Sequence, residues 1–245
     1  MMSEAFFIFA APTFGVLALG FLLGLKHATE ADHLAAVSTI VSERRSMWSS
    51  AFVGGLWGLG HTISLVAAGV FVLLLNFEIN EKTEQILEFC VGIMLTLLGL
   101  NVLRKLFHGG DLHFHSHGHG EHLHVHPHIH DPEPDAPNTH HGYSFSPRAL
   151  IVGMVHGLAG SAALMLLVIP TIESRTVGLL YIVVFGVGSI AGMSIMTFLV
   201  GLPFHFTALR FNRFNRILQA VAGLAGIVIG LSIIYEKGVS EGLLA

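Results

Sequence analysis

Four ionisable side chains fall within seven residues at His27-Ala28-Thr29-Glu30-Ala31-Asp32-His33. His61 stands in Gly58-Leu59-Gly60-His61-Thr62, and His156 in Gly153-Met154-Val155-His156-Gly157-Leu158-Ala159-Gly160-Ser161. Imidazole and carboxylate are the donors that hold borderline divalent transition metals, and histidines from two helices could equally ligate a haem iron. Twelve of the seventeen histidines lie between His108 and His141, around the run HFHSHGHGEHLHVHPHIHDPEPD at 113–135. Its regularly spaced His113, His115, His117, His119, His122, His124, His126, His128 and His130 form a dense array of metal-buffering ligands. Composition forbids a packed core there, so this connection is expected to be disordered. His205, beyond Pro203, reads as interfacial.

The elements that must position these groups are transmembrane helices. The chain has 245 residues, 53% hydrophobic and only 11% charged, with mean hydropathy +0.71. Soluble domains carry about 25% charged residues. Net charge −4 excludes a basic nucleic-acid binder, and the single cysteine, Cys90, excludes disulfide scaffolds and cysteine zinc sites. Six stretches reach the length of about 20 apolar residues that a bilayer crossing needs: 5–25, 49–75, 85–106, 148–170, 177–201 and 214–235. The first carries Glu4, lacks a basic start, and is not read as a cleaved signal. It is better drawn from about 14 to 41, because Ser42-Glu43-Arg44-Arg45 makes a stronger interfacial stop than Lys26.

That longer span cannot be a straight helix aimed at one ion. Asp32 lies about 140° around a helix axis from His27, and His33 about 240°. Either the helix is kinked near this segment or its groups divide the work.

Six spans place Lys26, Arg44, Arg45, Arg104, Lys105, Arg148, Arg210, Arg213 and Arg216 on one side and Lys82, Arg175 and Lys237 on the other. The positive-inside rule then puts both termini outside the cytoplasm and the histidine-rich connection within it. The chain divides into a first transmembrane half (1–106), a cytoplasmic loop (107–147) and a second half (148–245). Gly24-Leu25-Lys26-His27 recurs as Gly153-Met154-Val155-His156, and the Gly-rich second span resembles the Gly-rich fifth. Three spans apart means opposite direction, the signature of a 3+3 inverted repeat. The expected fold is an all-α polytopic membrane protein of about six helices.

At this point the motifs resemble a known family. His27-x4-Asp32-His33 is similar to the H-x4-D-H signature of the nickel/cobalt transporter family, Leu59-Gly60-His61-Thr62 to its L-G-H-[ST] motif, and Ala191-Gly192-Met193-Ser194-Ile195-Met196 to its A-G-M-S-x-M segment. The family's L-G-F-D-T segment is replaced by the stretch around His156, as in the shorter branch of urease-accessory nickel permeases, and its later acidic residue is here Thr197. The resemblance implies a multi-pass carrier in the cytoplasmic membrane, with Ni²⁺ or Co²⁺ as cargo and no permanently bound cofactor. His27, Asp32, His33, His61 and His156 are the expected metal ligands. Glu30, Thr62, Ser161, Ser194 and Thr197 are further candidates for metal contact or gating. Imidazole and carboxylate donors leave Zn²⁺ open and disfavour Cu(I).

Uptake is preferred over efflux on this analogy alone, and cytoplasmic nickel-handling proteins are the expected partners beside the lipid bilayer. No G-x-x-x-x-G-K-[ST] occurs, so the chain has no nucleotide site of its own. Two other readings compete: a metal-delivery or metal-sensing subunit acting through its loop, and an intramembrane haem or metallo-enzyme. The absence of H-E-x-x-H removes the usual zinc-protease helix from the last. A non-enzyme is expected.

Overall fold

The computed structural model describes residues 2–42, 46–75, 80–108, 112–119, 122–129, 147–159, 174–208 and 212–244. Helices α1 (Met2–His27), α2 (Ala31–Val41), α3 (Met47–Leu75), α4 (Glu81–His108), α5 (Pro147–Ala159), α6 (Arg175–Ala208) and α7 (Asn212–Tyr235) form the bundle, and a π-helical turn, Glu236–Ser240, follows α7. Among the described residues, four helices are long and apolar enough to cross a membrane: those within Met47–Val72, Glu81–Phe107, Arg175–Thr207 and Arg213–Ser240. Thr13–His27 and Ala31–Val41 pass the same test together, as one span bent by 55°. Of the fourth stretch expected from hydropathy, α5 is helical, and 160–173 lie outside the described residues.

Large apolar side chains such as Phe14, Leu22, Leu97, Val187 and Val221 remain exposed around the bundle. A helix set this apolar on its outside is solvated by lipid rather than water. The protein is a multi-pass integral membrane protein.

Glycine sets the spacing of the helices. A Cβ on Gly24 (α1) would strike the backbone of Phe185 (α6), and one on Gly153 (α5) the backbone of Trp57 (α3). Gly188 (α6) lies likewise against Phe21 (α1), and Gly60 (α3) against Leu150 (α5). The α3–α6 seam pairs Gly58 with Ile190 and Gly186 with Thr62, and the α4–α7 seam pairs Gly92 with Gly230 and Gly99 with Gly223. Such backbone-to-backbone approaches substitute for the hydrophobic drive that lipid does not supply.

Polar links lock the seams. Thr62 Oγ1 donates to Gly58 O at 2.8 Å and lies 3.1 Å from Gly186 O, while Ser64 Oγ donates to Met154 O at 2.8 Å. Gln219 Nε2 donates to Ser42 O at 3.1 Å, fastening the end of α2 to α7.

The expectation of a disordered loop is corrected over two segments. Leu112–His119 (β1) and His122–Ile129 (β2) form an antiparallel pair in the register His113–His128, His115–His126, His117–His124 and His119–His122. Histidine alternates there with apolar or small residues at the period of a strand. His130 lies outside the described residues.

Candidate metal centre

The centre is built on the break between α1 and α2. Thr29 N–H and Glu30 N–H close on Lys26 O (2.8 Å) and His27 O (3.1 Å), and the Thr29 hydroxyl donates to Lys26 O as well. Glu30 is extended (φ −66°, ψ 152°), and α2 starts afresh with Leu34 N–H on Glu30 O. His27 is thereby left in the last turn of one helix and Asp32 in the first turn of the next. The carbonyl end of α1 favours a cation, and a carboxylate is suited to the amide end of α2. Asp32 Oδ1 accepts the His33 backbone N–H at 2.9 Å, satisfying one of the free donors that a helix start exposes. The bend resolves the angular conflict in the sequence, because it lets His27 and His33 meet with ring centroids 4.2 Å apart.

Two further helices complete the cluster. His61 from α3 stands 5.1 Å from His27 and 5.6 Å from His33, centroid to centroid. His156 from α5 stands 4.2 Å from His33 and 6.3 Å from His61. All four imidazoles are fully buried. Asp32 joins two of them: Oδ1 lies 3.0 Å from His33 Nδ1 and Oδ2 lies 2.9 Å from His156 Nε2. Glu30 Oε2 is 2.9 Å from His27 Nδ1, close enough for an ion pair but out of line for a hydrogen bond.

Both nitrogens of His27 and of His61, His33 Nε2 and His156 Nδ1 have no hydrogen-bond partner among the described residues. A buried polar atom left unpaired costs about 1–3 kcal/mol, so the five of these nitrogens other than His27 Nδ1, which faces Glu30, need a purpose. Imidazole nitrogens bind a transition metal at about 2.0–2.1 Å. One donor atom each from His27, His33 and His61 lie within 4.8 Å of one another, as do donors from Asp32, His33 and His156. Small side-chain turns would close either set on an ion. Aromatic walls back both ends: Phe185 lies 5.6 Å from His27, and Trp57 lies 5.6 Å from His156 and 5.4 Å from His33.

The other sequence candidates lie elsewhere. Thr62 spans the α3–α6 seam; Thr197 donates to Met193 O and packs beside Gly54, and Ser194 packs beside Gly55. Each of these three hydroxyls stands at a contact between α3 and α6. Ser161 lies outside the described residues. Sequence reasoning missed Trp57 and Phe185. Their position against the cluster has no local signature in spans this rich in apolar residues.

The chain is 40% identical over 229 residues to urease accessory protein UreH of Bacillus sp. (strain TB-90), covering 93% of this chain and 94% of the relative. The chain belongs to the UreH family. Chloroplast protein FOR GROWTH AND FERTILITY 1 of Arabidopsis thaliana is 27% identical over 219 residues, or 89% of this chain and 58% of that longer protein. A high-affinity nickel transport protein of Cupriavidus necator is 32% identical over 75 residues, 30% of this chain and 21% of its own length. No protein-family model and no solved structure matches. These relatives bear out the resemblance drawn from the motifs, and the names of the urease accessory and nickel transport relatives are those of accessory and transport proteins rather than enzymes.

Proposed function

We propose that this member of the UreH family is a secondary transporter that carries Ni²⁺, with Co²⁺ as a close second, across the cytoplasmic membrane toward the cytoplasm. The observation that carries the reading is the convergence of four buried histidines and Asp32 from four helices at a break within a membrane span. Ionisable groups are expensive inside a membrane and concentrate on ion pathways. The name of one relative, a high-affinity nickel transport protein, supports nickel as the cargo.

In this mechanism His27, His33 and His61 hold the ion through neutral imidazoles, and Asp32 fixes the ring of His33 and offsets the cation's charge. A carboxylate behind a metal-binding imidazole sets its tautomer and raises its basicity. The carbonyl end of α1 adds a favourable field. Ligands must shed protons to bind metal, so protons compete with the cargo at this site.

The two halves act as an inverted repeat of three spans each, which makes six in all; the paired glycine contacts of α1–α6 with α5–α3 support this. Rocking of one half against the other then exposes the site to each side in turn. The histidine-rich segment, on the cytoplasmic side by the charge rule, gathers metal there and passes it to cytoplasmic nickel-handling proteins.

Radionickel accumulation in cells with and without the protein tests sign and cargo together. Accumulation that depends on the protein and on His27 supports uptake; depletion would reverse the direction. A loss of all activity on deleting residues 113–130 would favour the alternative, a metal-delivery subunit acting through its loop.

A further inference from the structure

The donors of the buried cluster do not form one set. They fall into two triads, His27-His33-His61 and Asp32-His33-His156, that share only His33. His33 is central, with its ring 4.2 Å from both His27 and His156, whereas His61 and His156 are 6.3 Å apart. The donor atoms that lie within 4.8 Å of one another form these two sets of three rather than one set of five, so the structure presents two ligand triads meeting at His33. The triads also differ in their occupation by hydrogen bonds. Both oxygens of Asp32 are engaged, with His33 Nδ1 and His156 Nε2, so in the second triad the carboxylate bridges the two imidazoles and only His33 Nε2 and His156 Nδ1 are left without a hydrogen-bond partner among the described residues. In the first triad His27, His33 and His61 all present nitrogens with no hydrogen-bond partner among the described residues.

His27 and His156, one in each triad, are seated alike. His27 follows Gly24, which seats α1 on α6, and leans on Phe185; His156 follows Gly153, which seats α5 on α3, and leans on Trp57. Each triad is thus anchored by the equivalent histidine of one half, and α2 supplies the shared member.

We infer that the site is a two-station relay: the ion loads at His27-His33-His61 and leaves through Asp32-His33-His156, with His33 holding it during the exchange. This rests on the transport reading above. The exchange needs no redox change and no covalent step. The 2.9 Å contact between Asp32 and His156 opens, His33 turns between its neighbours, and the carboxylate moves from orienting His33 to binding the ion. Asp32–His156 is then the latch that keeps a loaded ion from leaving early.

Trp57 is a built-in reporter, since its ring lies 5.4 Å from His33, and Trp48→Phe removes the exposed second tryptophan. The test uses the full-length Trp48→Phe protein, reconstituted in vesicles, with Ni²⁺ quenching of Trp57 as loading and Ni²⁺ arrival at an entrapped chelator dye as transport. His156→Gln, which keeps a donor for Asp32, should quench with a midpoint within about threefold of the parent while transport falls by roughly tenfold or more, the scale of loss when a group that orients a metal ligand is removed. His156→Asn should behave alike, so the test does not hang on one variant folding. His27→Gln and His61→Gln should lose quenching and transport together. Loss of quenching in both His156 variants, or parental transport in either, would overturn the relay. Parental behaviour of His27→Gln would instead overturn the transport site itself, and absence of nickel movement in the parent would overturn the function.

Discussion

Asp32→Asn removes one charge from the centre and leaves its shape. Asp32 accepts three contacts, from His33 N–H at 2.9 Å, His33 Nδ1 at 3.0 Å and His156 Nε2 at 2.9 Å, and an amide can accept at only one of its two heavy atoms. The greater loss is electrostatic. Through the His33 ring, an ion on Nε2 at a bond of about 2.1 Å lies about 7 Å from the carboxylate. At an effective dielectric of about 20, that separation is worth about 4–5 kcal/mol for a divalent cation. Asp32 is 22% exposed, so water weakens the interaction only in part. The expected result is a half-saturating nickel concentration raised by about a hundred- to a thousandfold, and transport at limiting metal that is lost. Radionickel uptake at limiting and at saturating metal, with membrane levels of both proteins matched, measures the shift. A half-saturation constant within threefold of the parent's would refute the placement of the charge beside the ion.

Other outcomes follow from the same structure. Gly60→Val and Gly153→Val should each lower the amount of protein in the membrane through overpacking of about 1–3 kcal/mol, while Gly15→Ala, whose Cβ meets nothing within 4 Å, should not; a fluorescent fusion reads all three. Deleting residues 113–130 should lower the number of ions bound in equilibrium dialysis yet leave the order of preference among Ni²⁺, Co²⁺ and Zn²⁺ in competition uptake unchanged. The metal that this segment contributes should fall as pH drops from about 7.5 to 5.5, because imidazoles with an ordinary pKa near 6.5 gain the proton that excludes metal; dialysis at the two pH values with and without the segment isolates it. Cysteine placed at Ser116, with Cys90 replaced, should resist membrane-impermeant thiol reagents in intact cells, and ready labelling would reverse the assigned topology.

Much of the architecture is legible in the sequence because lipid imposes a simple rule: long apolar stretches become helices. The break after His27 is accessible to angular arithmetic, since a straight helix cannot turn His27, Asp32 and His33 toward one ion. The arrival of His156 is foreshadowed by the repeat of Gly24-x-x-His27 as Gly153-x-x-His156, in which the glycine permits the close helix approach and the histidine follows it inward. Roles set by distant neighbours are not legible. Thr62, Ser194 and Thr197 read equally well as metal contacts or as seam residues, and their place at the α3–α6 seam becomes visible only with the opposing helix. Trp57 and Phe185 look like any apolar span residues, although they wall the cluster. The strands at Leu112–His119 and His122–Ile129 are signalled by strict alternation, but a histidine-rich composition points to disorder and masks that period.

The most direct measurement of the central claim is nickel entry into vesicles that contain only this protein, reported by an entrapped chelator dye, for the parent and for His61→Ala. His61 touches the cluster and nothing in the histidine-rich segment is altered. Nickel should enter with the parent and stay out with His61→Ala, while dialysis shows metal still bound outside the membrane site. Equal entry through both proteins would contradict the account, because the ion would then be crossing by a route that does not pass the buried histidines.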